Sequence, residues 1–104
     1  TGTGNNDASE GAALQRIFGA DIPTFSSTKA FTGHTLAAAG GIEAVFSLLA
    51  MRHGAVWPNL NFTTPMRELP LVPETHFRDG IAIHHVMSNS FGFGGNCATL
   101  IFGK

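Results

Sequence analysis

Between Leu36 and Met51, sixteen consecutive residues carry a single charge, on Glu43. A helix drawn through this segment has apolar side chains on nearly every side, which predicts a helix from about Thr35 to His53, buried over most of its surface. Gly54 is a fitting C-terminal stop. Gly40, Gly41, Glu43 and Ser47 interrupt the run, which falls short of the ~20 apolar residues a membrane span needs. Such a helix must be surrounded by other layers of protein, and 104 residues supply one domain at most.

The composition bears on what surrounds it. Asp, Glu, Lys and Arg make up 12% of the chain, against about 25% in an average soluble domain. Seven acids and six bases cannot solvate the surface of a free-standing domain, so much of that surface is expected to be covered by more protein. The net charge is −1 and the basic residues form no cluster, which argues against nucleic acid or an anionic membrane as partner. One cysteine, Cys97, excludes an internal disulfide and fits a reducing, cytoplasmic compartment. The Thr1–Asp7 run lacks the basic and apolar regions of a signal peptide.

Along the chain, Asp7 is placed to cap a helix running to Phe18, with Ala13, Leu14, Ile17 and Phe18 on one face. Thr24 to Thr28 reads as a short strand, and Thr32-Gly33-His34 as a tight connection into the apolar helix. Trp57 to Val72, with Pro58, Pro65 and Pro70, reads as an extended crossing loop. Ile81 to Asn89 and Ala98 to Phe102 form a closing pair of strands around the glycine-rich turn Ser90-Phe91-Gly92-Phe93-Gly94-Gly95-Asn96. The pattern is that of a layered α/β piece.

The chemistry-bearing residues concentrate at Lys29-Ala30-Phe31-Thr32-Gly33-His34. A histidine at a helix N-terminus meets the positive end of the dipole, which favours a neutral ring with one donor and one acceptor. Neutral imidazole beside a carbonyl is a good electrophilic stabiliser; a loop histidine satisfied by backbone would look the same in sequence. Lys29 is one of two lysines in the chain, at the end of the short strand. Glu43 is costly among Ile42, Ala44, Val45 and Phe46 unless paired. Lys29 is the partner expected; the other reading puts Glu43 on a narrow wet face. The Phe91 to Gly95 turn lets backbone approach a ligand closely, but its spacing is not a dinucleotide fingerprint. His53, His76, His84 and His85 lack metal-ligand spacing, so no metal site is expected. Cys97 has no base nearby in sequence and is expected to be simply buried.

Three runs together are more specific than any one of them. Thr1-Gly2-Thr3-Gly4-Asn5-Asn6-Asp7, Ser27 to Gly40 around Lys29 and His34, and Met87-Ser88-Asn89-Ser90-Phe91-Gly92-Phe93-Gly94-Gly95 resemble, in order and spacing, the active-site stretches of β-ketoacyl-acyl-carrier-protein synthases. The resemblance implies residues 1–104 are the C-terminal part of such a synthase, an incomplete domain of the thiolase-like fold, layered α-β-α-β-α around a mixed sheet. It implies decarboxylative condensation of an acyl thioester with malonyl carrier protein, in fatty acid or polyene- or polyketide-type lipid synthesis. It matches Lys29 and Glu43 to a hydrogen-bond network around the catalytic histidines, and His34 to the histidine that binds the malonyl thioester carbonyl. Thr1 and Thr3 match threonines that bond the phosphopantetheine arm. Phe93 matches a gating phenylalanine whose N–H forms part of an oxyanion hole. No cofactor of the chain's own is implied, because phosphopantetheine arrives on the carrier protein. The implied partners are acyl carrier protein, malonyl and acyl thioesters, the remainder of the synthase chain, and a second subunit in a homodimer or heterodimer. The nucleophilic cysteine lies upstream in the family, and its other histidine two residues before Thr1. Asn96 and Cys97 stand where Thr and Asn are usual, and Ala37 where Gly is usual. A non-catalytic, chain-length-factor-like partner subunit is the alternative, which the retained Lys29 and His34 oppose. Thiolase-type cleavage with coenzyme A is a third reading, opposed by the Lys29 to His34 spacing and the Phe-Gly-Phe-Gly-Gly turn.

Overall fold

A computed structural model describes Thr1–Lys104. The elements are α1 (Gly4–Phe18), the single turn α2 (Lys29–Thr32), a 3₁₀ turn at Leu36–Ala38, α3 (Ala39–His53), β1 (His85–Phe91) and β2 (Cys97–Gly103). β1 and β2 pair antiparallel, from His85 opposite Gly103 to Phe91 opposite Cys97. The class is α/β. The mixed sheet expected for the thiolase-like fold is represented here by this one antiparallel hairpin.

α1 starts four residues earlier than a cap at Asp7 implied: Thr3 is its N-cap residue, and Asp7 lies in the first turn, its N–H donating to the Thr3 carbonyl at 3.0 Å. Its inner face is also rotated from the expected one. Glu10, Gly11, Leu14 and Phe18 face inward, while Ile17 is 73% exposed. The cause is the crossing loop, whose Met66, Leu69 and Leu71 side chains crowd the bare Cα of Gly11.

The segment Thr24 to Thr28, expected as a strand, pairs with no strand. No second strand of this chain reaches it, and its backbone is satisfied singly instead. The Phe25 carbonyl accepts from Glu74 N–H at 2.8 Å, and Ser27 N–H donates to Asn59 Oδ1 at 3.0 Å. The crossing loop is irregular as expected, anchored by an isolated bridge between Val56 and Arg78. Trp57 packs against Phe46 of α3 and Phe77, with ring centroids 6.3 and 5.7 Å away.

α3 ends where Gly54 predicts. Gly54 is left-handed at φ 61°, and the Ala55 N–H returns to the Ala50 carbonyl at 3.0 Å, closing a Schellman-type cap. The Lys104 ammonium donates to the Met51 carbonyl at 2.6 Å, so the last residue of the chain serves the negative end of the helix. Burial of α3 departs from expectation. Only Ala39, Ala50 and Met51 of the helix are buried, and the chain's buried apolar set is completed by Ala55. Gly41, Val45, Leu48 and Arg52, spaced at one helical face, are exposed.

The hairpin shows the same one-sidedness. Val86, Ser88 and Ser90 form one face of β1, and Gly40 on α3 lies so close that a methyl there would meet Ser90 Oγ at 3.4 Å. The alternate face carries Met87 and Phe91, each 39% exposed, with Ile101 opposite Met87 at 71%. No helix is long and apolar enough to cross a membrane.

Candidate functional site

Lys29 opens α2, the first turn after the unpaired segment. Ser27 sets that start, its Oγ accepting the Lys29 N–H at 3.3 Å, a local side-chain turn. The Lys29 ammonium makes an ion pair with the Glu43 carboxylate, on the second turn of α3. Both side chains are about four-fifths buried, with exposures of 21% and 16%. This resolves the two readings of Glu43 in favour of the pair. A carboxylate inside an apolar helix is tolerated here because a cation meets it. Lys29 is therefore the first residue of a helical turn and not the end of a strand.

His34 differs from its expected placement. It lies five residues before α3 begins, ahead of the 3₁₀ turn, and the helix dipole falls off within the first turn. A different device holds the ring. Gly33, at φ 74°, ends α2 and redirects the chain. Leu36 then takes the strained value φ 52°, rare for a bulky residue, and its N–H donates to His34 Nδ1 at 3.1 Å. With Nδ1 accepting, the proton of the neutral ring sits on Nε2, which is left as a donor. The ring is exposed.

Lys29, His34, Glu43 and Thr1 border one broad, open concavity of about 1620 Å³, along with Gly92 and much of both faces around them. Small-molecule sites enclose about 300–1,000 Å³, and this hollow exceeds that range. Thr3 and Phe93 lie outside it. Thr1 and Thr3 are both exposed and touch each other through their hydroxyls at 3.2 Å. Phe93 sits at the hairpin tip, 95% exposed, in a loop closed by Gly92 N–H to the Asn96 carbonyl at 2.7 Å. Gly94 and Gly95 hold φ of 82° and 86°, which side chains rarely adopt. Cys97, expected to be buried, is exposed at the first position of β2, beside the open loop at the hairpin tip.

Sequence reasoning missed the braces behind these residues. Asn59 locks the Ser27 backbone, and Leu36 orients His34. An Asn in a proline-punctuated loop and a Leu after His-Thr are ordinary residues in sequence, and only the fold makes them partners.

These helices and this antiparallel hairpin are pieces of a thiolase-like α/β domain. The profile of the β-ketoacyl synthase C-terminal domain matches residues 1–63, and the chain belongs to that family. It is 45% identical over 107 residues to 3-oxoacyl-[acyl-carrier-protein] synthase 1 of Escherichia coli (strain K12), a match covering 100% of this chain and 26% of the relative. The synthase 1 of Haemophilus influenzae is 43% identical, covering 98% and 25%. The synthase 2 of Staphylococcus aureus (strain COL) is 42% identical, covering 100% and 26%. The chain thus spans about a quarter of the length of the curated relatives it matches.

Proposed function

We propose that residues 1–104 form an incomplete C-terminal thiolase-like domain of a 3-oxoacyl-acyl-carrier-protein synthase. The whole enzyme joins an acyl thioester to malonyl carrier protein with loss of CO2. The observation that carries this reading is the largely buried Lys29–Glu43 pair on the same concavity as His34, whose remaining proton is on Nε2. In that reaction the malonyl C–C bond breaks, its electron pair moves toward the thioester carbonyl, and negative charge develops on the carbonyl oxygen. A preorganised neutral donor aimed at that oxygen lowers the barrier, and His34 Nε2–H is such a donor. The Lys29–Glu43 pair keeps a fixed charge arrangement beside it. Thr1 and Thr3 offer hydroxyls for the phosphopantetheine arm, which the carrier protein brings, so no cofactor of the enzyme's own is needed. Phe93 gates the site, and its N–H stabilises the oxyanion of acyl transfer. The nucleophilic cysteine and a second histidine belong to the rest of the synthase chain. Acyl carrier protein, malonyl and acyl thioesters and a second subunit are the partners, in the cytoplasm.

The test is a chimaera in which this chain replaces the matching quarter of the Escherichia coli synthase 1. Condensation of acyl and malonyl carrier protein is the expected result. His34→Ala within it is expected to lower CO2 release by about 10²–10³-fold. A folded, dimeric chimaera with no turnover overturns the proposal.

A further inference from the structure

Asn89 belongs to none of the roles above, yet it joins three elements. It is directly opposite Thr99 in the hairpin register. Thr99 Oγ1 donates to Asn89 Oδ1 at 2.9 Å. That bond orients the amide, so Nδ2 faces Glu10 Oε1 on α1 at 3.5 Å. A flipped amide would set two oxygens against each other at Glu10. The next residue, Ser90, points the other way and lies against Gly40 on α3. The loop end of the hairpin is thus held on one side by α1, which follows Thr1 and Thr3, and on the other by α3, which carries Glu43. The other neighbours of α1 at this level, Met66, Leu69 and Leu71, are apolar and without direction. Glu10 to Asn89 is the one side-chain hydrogen bond that ties α1 to the hairpin.

We propose that Asn89 is a positioning residue, with Thr99 and Glu10 as its supports, that fixes the loop 92–96 and the Phe93 amide relative to the site. This rests on the condensing-enzyme reading. The loop is held by its internal Gly92 to Asn96 and Gly95 to Gly92 backbone bonds and by the Cys97 thiol, which donates to the Gly95 carbonyl at 3.6 Å; all of these are local, so its placement is inherited from the strands that carry Asn89 and Thr99. An error of about 1 Å in such a group costs about 10²-fold in rate.

The experiment uses the complete synthase that contains this chain. Thr99→Val removes the hydroxyl at nearly constant shape, and Thr99→Ser keeps it. Asn89→Asp sets a carboxylate against Glu10, and adding Glu10→Gln to it reverses donor and acceptor. Thr99→Val and Asn89→Asp are expected to lower kcat by about tenfold or more, with KM for malonyl carrier protein within about twofold. Thr99→Ser and the Asn89→Asp/Glu10→Gln pair are expected to recover most of it. Amide hydrogen exchange at residues 92–96 is expected to quicken about tenfold in Thr99→Val and not in Thr99→Ser. Melting temperature and subunit state, measured alongside, are expected to change little. Unchanged kcat and exchange in Thr99→Val, or equal losses in Thr99→Ser and Thr99→Val, overturn the assignment. An inactive wild-type synthase overturns the condensing reading instead, while the exchange measurement still decides the role of Asn89.

Discussion

At the scale of single residues, the Lys29–Glu43 pair is the clearest case of sequence reasoning carried through to geometry. A lone carboxylate in an apolar helix needs a cation, and two lysines leave few choices. With both groups mostly out of water, desolvation offsets much of their attraction, so the intact pair adds little net stability, and its larger effect is on chemistry. Glu43→Gln, which keeps a hydrogen-bond acceptor for Lys29, is expected in the complete synthase to lower condensation by about 10²-fold; an activity near wild type would remove Glu43 from the network. Glu74 has a pH signature. The His76 backbone N–H, at 3.2 Å, and then the Arg78 guanidinium hold its carboxyl below the usual carboxylate range. A group depressed in the folded state stabilises above its unfolded pKa, and that contribution is lost as pH falls through the folded value. Thermal melts of Glu74→Gln from about pH 7 to about pH 3 should therefore show a smaller loss on acidification than wild type. The ring of His34 was harder to foresee. Its acceptor bond comes from the Leu36 N–H, which is aimed there by the Thr35–Leu36 peptide plane, with Thr35 at φ −83° and ψ 18°, and no side-chain pattern records a backbone angle.

At the scale of elements, long apolar periodicity and glycine punctuation were legible, and short pieces were not. α3, its stop at Gly54 and the hairpin around the Phe91–Gly95 turn were all readable, with ends moved by a few residues. α2 is one turn long, too short for a periodic signal, and it exists because Ser27 and Thr28 supply acceptors for the first N–H groups. The Thr24 to Thr28 segment has strand composition but no neighbour, and strands are made by pairing. Gly54 offers a sharp test. Its φ is left-handed, and a Cβ there would overlap the Ile81 carbonyl oxygen. Gly54→Ala is expected to destabilise the complete synthase by about 2 kcal/mol or more, read as a lower urea midpoint at constant m-value. A change under about 0.5 kcal/mol would mean that the loop after α3 yields freely.

At the scale of the molecule, the chain has helices and a hairpin but almost no interior. The buried apolar residues are Ala39, Ala50, Met51 and Ala55, three of them single methyls, while Val45, Leu48, Leu100 and Ile101 are half-exposed or more. Burial of this extent contributes little against chain entropy. The isolated chain is accordingly expected to bind a hydrophobic dye strongly, to melt without a cooperative transition and to show no condensing activity with acyl and malonyl carrier protein. A sharp, dye-free melt would contradict this. The low charge content pointed the same way: charge is absent where solvent is not meant to reach. Composition, helix periodicity and the order of the three motif runs were therefore readable from sequence alone, because each is a property of neighbouring residues. The tertiary structure alone settled that Lys29 meets Glu43, that His34 is held through Nδ1, that Asn89 joins α1 to the hairpin, and which faces remain bare. Each of these depends on bringing together groups far apart in the chain, or on a backbone angle that no side chain encodes.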